Sequence, residues 1–294
     1  MLKRIIALIT SLVIVITGVY NFFFVPKSYE YRNTAYGTEE RQILDFNIPI
    51  ENDGEVGLVL FIHGGAWFMG SKDNYDEEIE YMSDRLGYAA AALNYRYVSD
   101  TTTIHDILDD IDLCLDFIKQ KGEEHGVKIN KVILTGISAG AHLSLLYGYS
   151  KADTAPIKPA AVISNCGPTD LTIESFYKES ETFDEASSCY LMSRCSGKKI
   201  TSYADIDIAR EELLKISPIT YVNENTVPTI INHGMKDKTV PYLNAEMLDQ
   251  KLTECGVTHV LNPYPDSGHN LENDFIVDIK ADKLFVEYCK TYLG

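Results

Sequence analysis

Residues 133–142, Ile133-Leu134-Thr135-Gly136-Ile137-Ser138-Ala139-Gly140-Ala141-His142, carry the strongest signal in this chain. The apolar residues at the start predict a short buried strand, and the small residues after Ser138 predict a helix. Glycines two positions to either side of the serine permit a turn that is too tight for larger side chains. Such a turn exposes the serine hydroxyl at a helix N-terminus, where backbone amides favour developing negative charge. The stretch therefore predicts a nucleophile elbow with Ser138 at its tip.

The composition of the chain argues against a polyanionic partner. The 294 residues include 26 Lys and Arg against 43 Asp and Glu, which gives a formal net charge of −17. Nucleic-acid binding depends on clustered basic side chains, so no nucleic acid is expected as a partner. The length and the hydrophobic content of 45% suit one globular domain with a large core.

The six cysteines form no Cys-x-x-Cys pair and therefore offer no recognisable metal spacing. Cys114, Cys166 and Cys289 lie in or beside apolar segments, where buried free thiols are expected. Cys189 and Cys195 are close together in an irregular region. A local disulfide between them stays open, although free thiols are favoured because nearness in sequence does not establish the geometry.

The amino-terminal segment reads as a membrane anchor. A long apolar run over residues 5–25 directly follows the basic pair Lys3-Arg4. About twenty apolar residues suffice to cross a bilayer as a helix, and the basic pair should stay on the cytoplasmic side. No small-residue cleavage site follows the run, so an uncleaved signal anchor over residues 1–27 is favoured over a cleaved signal peptide. We expect a single-pass membrane protein whose main domain is extracytoplasmic, with secretion after cleavage as the alternative.

Residues 28–294 are expected to form one domain in which strands and helices alternate. The apolar run 57–62 predicts a strand that is covered on both faces. From Ile104 onward, apolar residues at three- and four-residue steps predict an amphipathic helix whose five aspartates face solvent. The periodicity fades over about 171–216, which indicates an insertion or lid above the sheet. The pattern predicts an α/β fold with about eight strands, mostly parallel after an antiparallel start, and helices on both faces.

Two further polar residues follow predicted strands at the positions where catalytic groups would meet. Asp237 and His269 each lie in a loop after a strand, and such loops share one edge of a parallel sheet. Together with Ser138 they could act as the acid and the base of a triad. Asp266 is the alternative acid, although its nearness to His269 in sequence makes the required geometry harder. His233 is the hardest of the other histidines to set aside, but it precedes Asp237 and lacks a flexible loop.

The sequence His63-Gly64-Gly65-Ala66-Trp67 follows another predicted strand. Glycines there let the backbone approach a substrate carbonyl with free amides. With the amide of Ala139, Gly64 and Gly65 would form an oxyanion hole. Trp67 is expected to anchor this loop, with a place in the wall of an acyl pocket as the alternative, and His142 is expected to pack beneath the site.

Seven motifs, all in the family's order, resemble those of α/β-hydrolase esterases of the hormone-sensitive-lipase-like and bacterial feruloyl/acetyl-esterase-like group. The resemblance runs from about residue 36 to the C-terminus. It implies an α/β-hydrolase fold with Ser138 as nucleophile, Asp237 as acid and His269 as base, and with Gly64, Gly65 and Ala139 as oxyanion donors. The motifs are His-Gly-Gly-Ala-Trp at 63–67, Asn-Tyr-Arg at 94–96, Gly-Ile-Ser-Ala-Gly at 136–140, Gly-Pro-Thr-Asp at 167–170, Ser-Pro-Ile at 217–219, His-Gly-Met-Lys-Asp-Lys-Thr-Val-Pro at 233–241 and Gly-His at 268–269.

The resemblance implies a serine esterase that works through an acyl-enzyme and needs no metal or organic cofactor. Its expected substrates are small acyl esters, such as acetyl or feruloyl esters of carbohydrates. The His-Gly-Gly-x-Trp form also occurs in arylformamidases of this fold, so an amide hydrolase or peptidase is an alternative. A catalytically silent surface binding module is disfavoured because the serine, the histidine and the oxyanion glycines are all present.

Overall fold

The computed structural model describes residues 27–173 and 180–294. The anchor predicted over residues 1–27 therefore lies outside the described residues, apart from its last position. Within the described ranges, no helix combines the length and the apolar character needed to cross a membrane.

In this described part, eight strands form one sheet in the order β1-β2-β4-β3-β5-β6-β7-β8. The β1–β2 and β2–β4 pairs are antiparallel, and every later neighbour pair is parallel. This confirms the predicted mostly parallel sheet with an antiparallel start. The strands are β1 (Ser28–Ala35), β2 (Ile43–Pro49), β3 (Leu58–Ile62), β4 (Ala89–Asn94), β5 (Lys131–Ile137), β6 (Lys158–Asn165), β7 (Thr229–Gly234) and β8 (His259–Tyr264).

Helices cover both faces of the sheet, so alternate residues of its central strands enter two different cores. Leu60 of β3 belongs to one core, and its neighbour Phe61 belongs to the other. This is why the sequence of β3 is apolar throughout rather than alternating. The helices are α1 (Asp76–Asp84), α2 (Ile104–Glu124), α3 (Ala139–Ser150), α4 (Glu185–Ser196), α5 (Ile206–Lys215), α6 (Leu243–Glu254) and α7 (Phe275–Tyr288), with short 3-10 turns at Lys72–Tyr75, Tyr203–Asp205 and Pro218–Tyr221 and a π-helical turn at Cys289–Leu293.

The aspartates of α2 do not all face solvent, which corrects the expectation from sequence. Asp110 is fully buried. It accepts hydrogen bonds from the Arg96 backbone amide at 2.8 Å, from the Arg96 guanidinium at 2.9 Å and from the Gln42 side-chain amide at 2.6 Å. A buried carboxylate is tolerated only with such partners. The partners come from other elements, so periodicity within α2 gives no sign of them.

All six cysteines are free. Cys114, Cys166 and Cys289 are buried, as predicted. Cys189 and Cys195 are also buried free thiols on α4, so the disulfide left open from the sequence is absent between them.

The irregular segment of the sequence contains two helices, α4 and α5, and no strand among its described residues. We call residues 171–173 and 180–216 the roof. The roof is tied to the loop after β7, because the Glu181 amide donates to the Lys238 carbonyl oxygen at 2.9 Å. The hydroxyls of Thr182 and Thr239 also lie 2.7 Å apart. The roof therefore reaches the sheet edge where the polar loops gather.

Candidate active site

Ser138 occupies a strained turn between β5 and α3. Its backbone angles are φ 57° and ψ −122°, and α3 begins at the next residue. A non-glycine residue in such a conformation costs on the order of 1–3 kcal/mol and is found mainly at functional sites. The structure therefore has the backbone turn that the Gly-x-Ser-x-Gly pattern predicts.

The two glycines of the elbow are required by a neighbouring strand as well as by the turn itself. A Cβ atom on either Gly136 or Gly140 would overlap the carbonyl oxygen of Ile62, the last residue of β3. The one on Gly136 would also overlap the backbone of Gly140. The elbow thus packs against β3, the strand that is followed by Gly64 and Gly65.

Asp237 and His269 meet where β7 and β8 end. The Nδ1 atom of His269 lies 2.7 Å from Oδ2 of Asp237. The other carboxylate oxygen accepts hydrogen bonds from the backbone amides of Thr239 at 2.8 Å and Val240 at 2.9 Å. Burial raises the pKa of Asp237, but hydrogen bonds from His233 and His269 and from the backbone outweigh it, so this pKa lies well below its usual range. An ionised Asp237 can hold the Nδ1–H tautomer of His269 and stabilise its protonated form.

Asp266, the alternative acid, has a different side-chain partner. Its side chain is 69% exposed, and it pairs with Lys236 at 2.7 Å. The hydrogen-bond geometry therefore favours Asp237 as the partner of His269.

Ser138 and His269 open into one cavity of about 510 Å³. Gly64, Gly65 and Ala139 line the same cavity, so all the predicted site residues except the buried Asp237 share its surface. None of the described residues that line it is Asp, Glu, Lys or Arg. The remaining walls are mainly apolar and include Ala66, Trp67, Phe68, Met69, Ile137, Pro168, Phe183, Leu191 and Val240.

The loop after β3 has positive φ at three successive residues, and two of them are not glycine. Gly65, Ala66 and Trp67 have φ values of 109°, 49° and 63°. The indole of Trp67 is buried, and its Nε1 donates to Nδ1 of His142 at 3.2 Å. Nε2 of His142 then lies 2.7 Å from the carbonyl oxygen of Ile216, at the end of the roof. Trp67 therefore anchors the loop, and His142 packs beneath the site, both as predicted.

The family model described as BD-FAE matches residues 44–252, a range that includes the elbow and the loop after β7. The chain belongs to the BD-FAE family. The resemblance to α/β-hydrolase esterases that the motifs indicate is thereby confirmed.

Curated relatives of this BD-FAE family member carry esterase names. A probable isoprenylcysteine alpha-carbonyl methylesterase, ICMEL1 from Oryza sativa subsp. japonica, is 24% identical over 264 residues, which cover 85% of this chain and 59% of that protein. Esterase LipC from Mycobacterium tuberculosis is 22% identical over 246 residues, which cover 82% of this chain and 60% of that protein. The chain thus spans at most about 60% of the length of these two relatives.

Solved structures share the fold of this BD-FAE family member at low identity. A truncated carbohydrate esterase from gut microbiota superposes with a TM-score of 0.71 at 19% identity, covering 90% of this chain and 97% of that one. Esterase B from Lactobacillus rhamnosis superposes with a TM-score of 0.69 at 19% identity, covering 99% and 97%. These likenesses support the α/β-hydrolase architecture.

His233 contacts the loop that carries Asp237, although its position in the sequence argued against a role at this site. Its Nε2 lies 2.8 Å from the carbonyl oxygen of Val240 and 3.3 Å from Oδ2 of Asp237. Its Nδ1 is buried without a partner. A proton on Nδ1 would be an unsatisfied buried donor, so a proton on Nε2, which faces the Val240 carbonyl oxygen, fits this environment best. The signal in the sequence was its position at a strand end just before Asp237.

Cys166 also lies beside Asp237. The sequence pattern predicted it only as a buried thiol. Among the residues that the structure describes, Cys166, Asp237 and His269 form the one group with ligand atoms close enough for a metal ion, all within 4.8 Å. Burial, and next the charge of Asp237, raise the pKa of the Cys166 thiol. The protonated thiol can therefore act as a further donor towards the Asp237 carboxylate.

Proposed function

We propose that this BD-FAE family member is a serine hydrolase that cleaves uncharged carboxylic esters through an acyl-enzyme. The proposal rests on the arrangement of three side chains. Ser138, at a strained elbow, shares a cavity with His269, and His269 is hydrogen-bonded to the ionised Asp237. This is the arrangement of nucleophile, base and orienting acid that acyl transfer requires.

In the proposed reaction, the hydroxyl oxygen of Ser138 attacks the ester carbonyl while His269 takes its proton. The developing oxyanion is stabilised by the amides of Gly64, Gly65 and Ala139. His269 then gives the proton to the departing alkoxide, and Asp237 stabilises the protonated ring in between. Water, deprotonated by His269, releases the acid from Ser138 and restores the hydroxyl.

The walls of the cavity favour a neutral substrate with a sizeable apolar group. A volume of about 510 Å³ would be largely unfilled by an acetyl group, whereas an aromatic acyl group could contact Phe68, Phe183 and Leu191. An aromatic acyl ester of a carbohydrate, such as a feruloyl ester, fits this description better than an acetyl ester.

We also propose that residues 1–27 anchor the enzyme in the membrane with residues 28–294 on the extracytoplasmic side. The apolar run after Lys3-Arg4 supports this. Cell fractionation with N-terminal sequencing tests it, because a mature chain that begins near Tyr29 would mean cleavage and secretion instead.

The test of the catalytic proposal compares wild type with Ser138→Ala on p-nitrophenyl acetate. We expect the variant to lose at least about 10³-fold in kcat, because the nucleophile is removed while the fold is kept. Ser150→Ala, at the far end of α3, is the matched control and should keep wild-type activity. Equal turnover by wild type and Ser138→Ala would contradict the proposal.

A panel of acetyl, feruloyl and formyl-aryl substrates, ranked by kcat/KM, tests the substrate class. We expect the feruloyl ester to rank first because of its apolar aromatic group. A clear preference for the formyl-aryl amide would instead identify an amide hydrolase.

A further inference from the structure

Arg41, just before β2, reaches the loop that carries the oxyanion glycines. Its Nε donates to the Tyr95 carbonyl oxygen at 2.9 Å, and its Nη2 donates to the Gly70 carbonyl oxygen at 3.3 Å. Its guanidinium also lies 3.6 Å from the centre of the Tyr97 ring. These contacts hold the guanidinium beside His63, where Nη2 is 3.3 Å from Nε2 of the imidazole.

Two neighbours, the Arg41 guanidinium and the Gly64 carbonyl oxygen, together determine which nitrogen of His63 carries the proton. A guanidinium can only donate, so the Nε2 that faces it must be a bare acceptor. The proton is then on Nδ1, which lies 2.7 Å from the carbonyl oxygen of Gly64. Burial first, and the charge of Arg41 in addition, lower the pKa of His63 to about 4. The ring is therefore neutral at ordinary pH, and stacking on Tyr95 at 4.2 Å between ring centres fixes its plane.

The hydrogen bond to Gly64 also orients the next amide. The carbonyl of Gly64 and the N–H of Gly65 belong to one planar trans peptide, so they point in opposite directions. With the carbonyl held by His63, the Gly65 amide is turned away from His63, and Gly65 lines the cavity beside Ser138. The successive positive φ values from Gly65 to Trp67 show a loop that needs such support.

We propose that Arg41 is a positioning residue for the oxyanion hole. It fixes the tautomer of His63, His63 holds the Gly64 carbonyl, and the Gly65 amide is thereby aimed at the reacting carbonyl oxygen. Arg41 itself touches no reacting atom. The inference rests on the proposed function, because an oxyanion hole matters only if the chain catalyses acyl transfer.

The first test is Arg41→Met, which keeps the length of the side chain and removes every donor. We expect kcat to fall about tenfold with little change in KM, because one oxyanion donor is misaligned but not deleted. Binding of a trifluoromethyl ketone, which forms a tetrahedral adduct with the serine, should weaken by a similar factor. Arg32→Met, a half-exposed arginine on β1, is the matched control and should behave as wild type. An Arg41→Met enzyme with wild-type kcat and inhibitor affinity would overturn the inference, whereas an inactive wild type would overturn the proposed function instead.

A second variant shows whether Arg41 acts through His63. His63→Asn offers an amide donor at the Nδ1 position that does not depend on a tautomer. In that background Arg41→Met should cost less than about twofold, because coupled residues are not additive. A full tenfold cost there would contradict the proposed route.

Nitrogen NMR of labelled histidine gives a readout that needs no activity. It should report a proton on Nδ1 of His63 in wild type and a mixture of tautomers in Arg41→Met. The same tautomer in both proteins would overturn the inference.

Discussion

The catalytic edge and the roof differ in the contacts that their side chains make around the cavity. At the edge, formed by the loops after β3, β5, β7 and β8, short hydrogen bonds hold the side chains of Asp237 and His269. Asp237, for example, accepts bonds from two backbone amides and from His269. The roof meets the cavity mainly through apolar side chains such as Phe183 and Leu191, and some of its apolar residues face solvent, with Tyr190 57% exposed and Ile208 84% exposed.

This difference indicates that the edge positions the reacting groups and that the roof selects the substrate. Directional bonds fix the positions of reacting groups to within a fraction of an ångström, which acyl transfer needs. Apolar contact tolerates changes of shape and decides what fits. Changes at the edge should therefore reduce kcat for every substrate, whereas changes in the roof should alter the ranking of substrates.

The largest expected effect in this comparison is at the acid. Asp237→Asn should lower kcat by about 10³–10⁴-fold, because an amide cannot hold His269 in the required tautomer or stabilise its charge. The exposed Asp266→Asn is the matched control and should change kcat by less than about twofold. Steady-state kinetics on one ester checks both. Equal losses in the two variants would mean that the hydrogen bond to His269 does not identify the acid.

A smaller effect is expected at His233. His233→Leu should lower kcat about tenfold, because the acid loop loses the Nε2–H that joins Val240 to Asp237. His233→Gln can place an N–H near the same position and should recover most of the loss. If Leu and Gln reduce kcat equally while both proteins melt at the wild-type Tm, the donor is not what matters.

In the roof, Phe183→Ala should change selectivity rather than chemistry. Loss of an aromatic contact worth about 1 kcal/mol predicts a roughly fivefold lower kcat/KM for a feruloyl ester. The acetyl ester should be nearly unaffected. Ile208→Ala, on the exposed side of α5, is the control. An equal loss of kcat/KM on both esters would show that the roof contributes to the catalytic geometry. It would contradict the assignment of different roles to the two regions.

The last prediction concerns acid stability, which should depend on two buried histidines, one at the edge and one beneath it. Burial lowers the pKa of both His63 and His142 to about 4 from an ordinary value of 6.5. The unfolded chain then binds more protons than the folded one between those values, so the free energy of unfolding should fall as the pH drops from about 6.5 to about 4. Each histidine contributes up to about 1.4 kcal/mol per pH unit.

Urea titrations at several pH values check this. His142→Gln should reduce the slope of unfolding free energy against pH, whereas the exposed His105→Gln should leave it unchanged. An identical slope in wild type and His142→Gln would contradict the buried neutral state of that ring.

Much of the molecule could be predicted from local sequence. The turn around Ser138, the apolar run of β3 and the periodicity of α2 each depend on residues close in the chain, so their patterns are visible without tertiary contacts. The placement of Asp237 and His269 after strands also followed, because parallel strands bring such loops to one edge.

Other features depend on residues that are far apart in sequence. Asp110 can be buried because Arg96 and Gln42 donate hydrogen bonds to its carboxylate, although the pattern of α2 predicted that this side chain faces solvent. His233 is only four residues from Asp237, but their contact depends on how the loop after β7 folds back on the strand end, and periodicity does not describe a loop. Periodicity describes one element at a time and carries no information on such partners.

The sequence by itself determined the tight turn around Ser138, the fold class and the residues available as acid and base, because these depend on local backbone geometry and on strand order. Only the tertiary structure decided that Asp237 rather than Asp266 meets His269, that β3 forces Gly136 and Gly140, and that Arg41 reaches His63. The physical reason is that each of these contacts joins segments brought together by sheet packing, and hydrogen bonds and steric overlap are decided by distances of a few ångströms that no local pattern encodes.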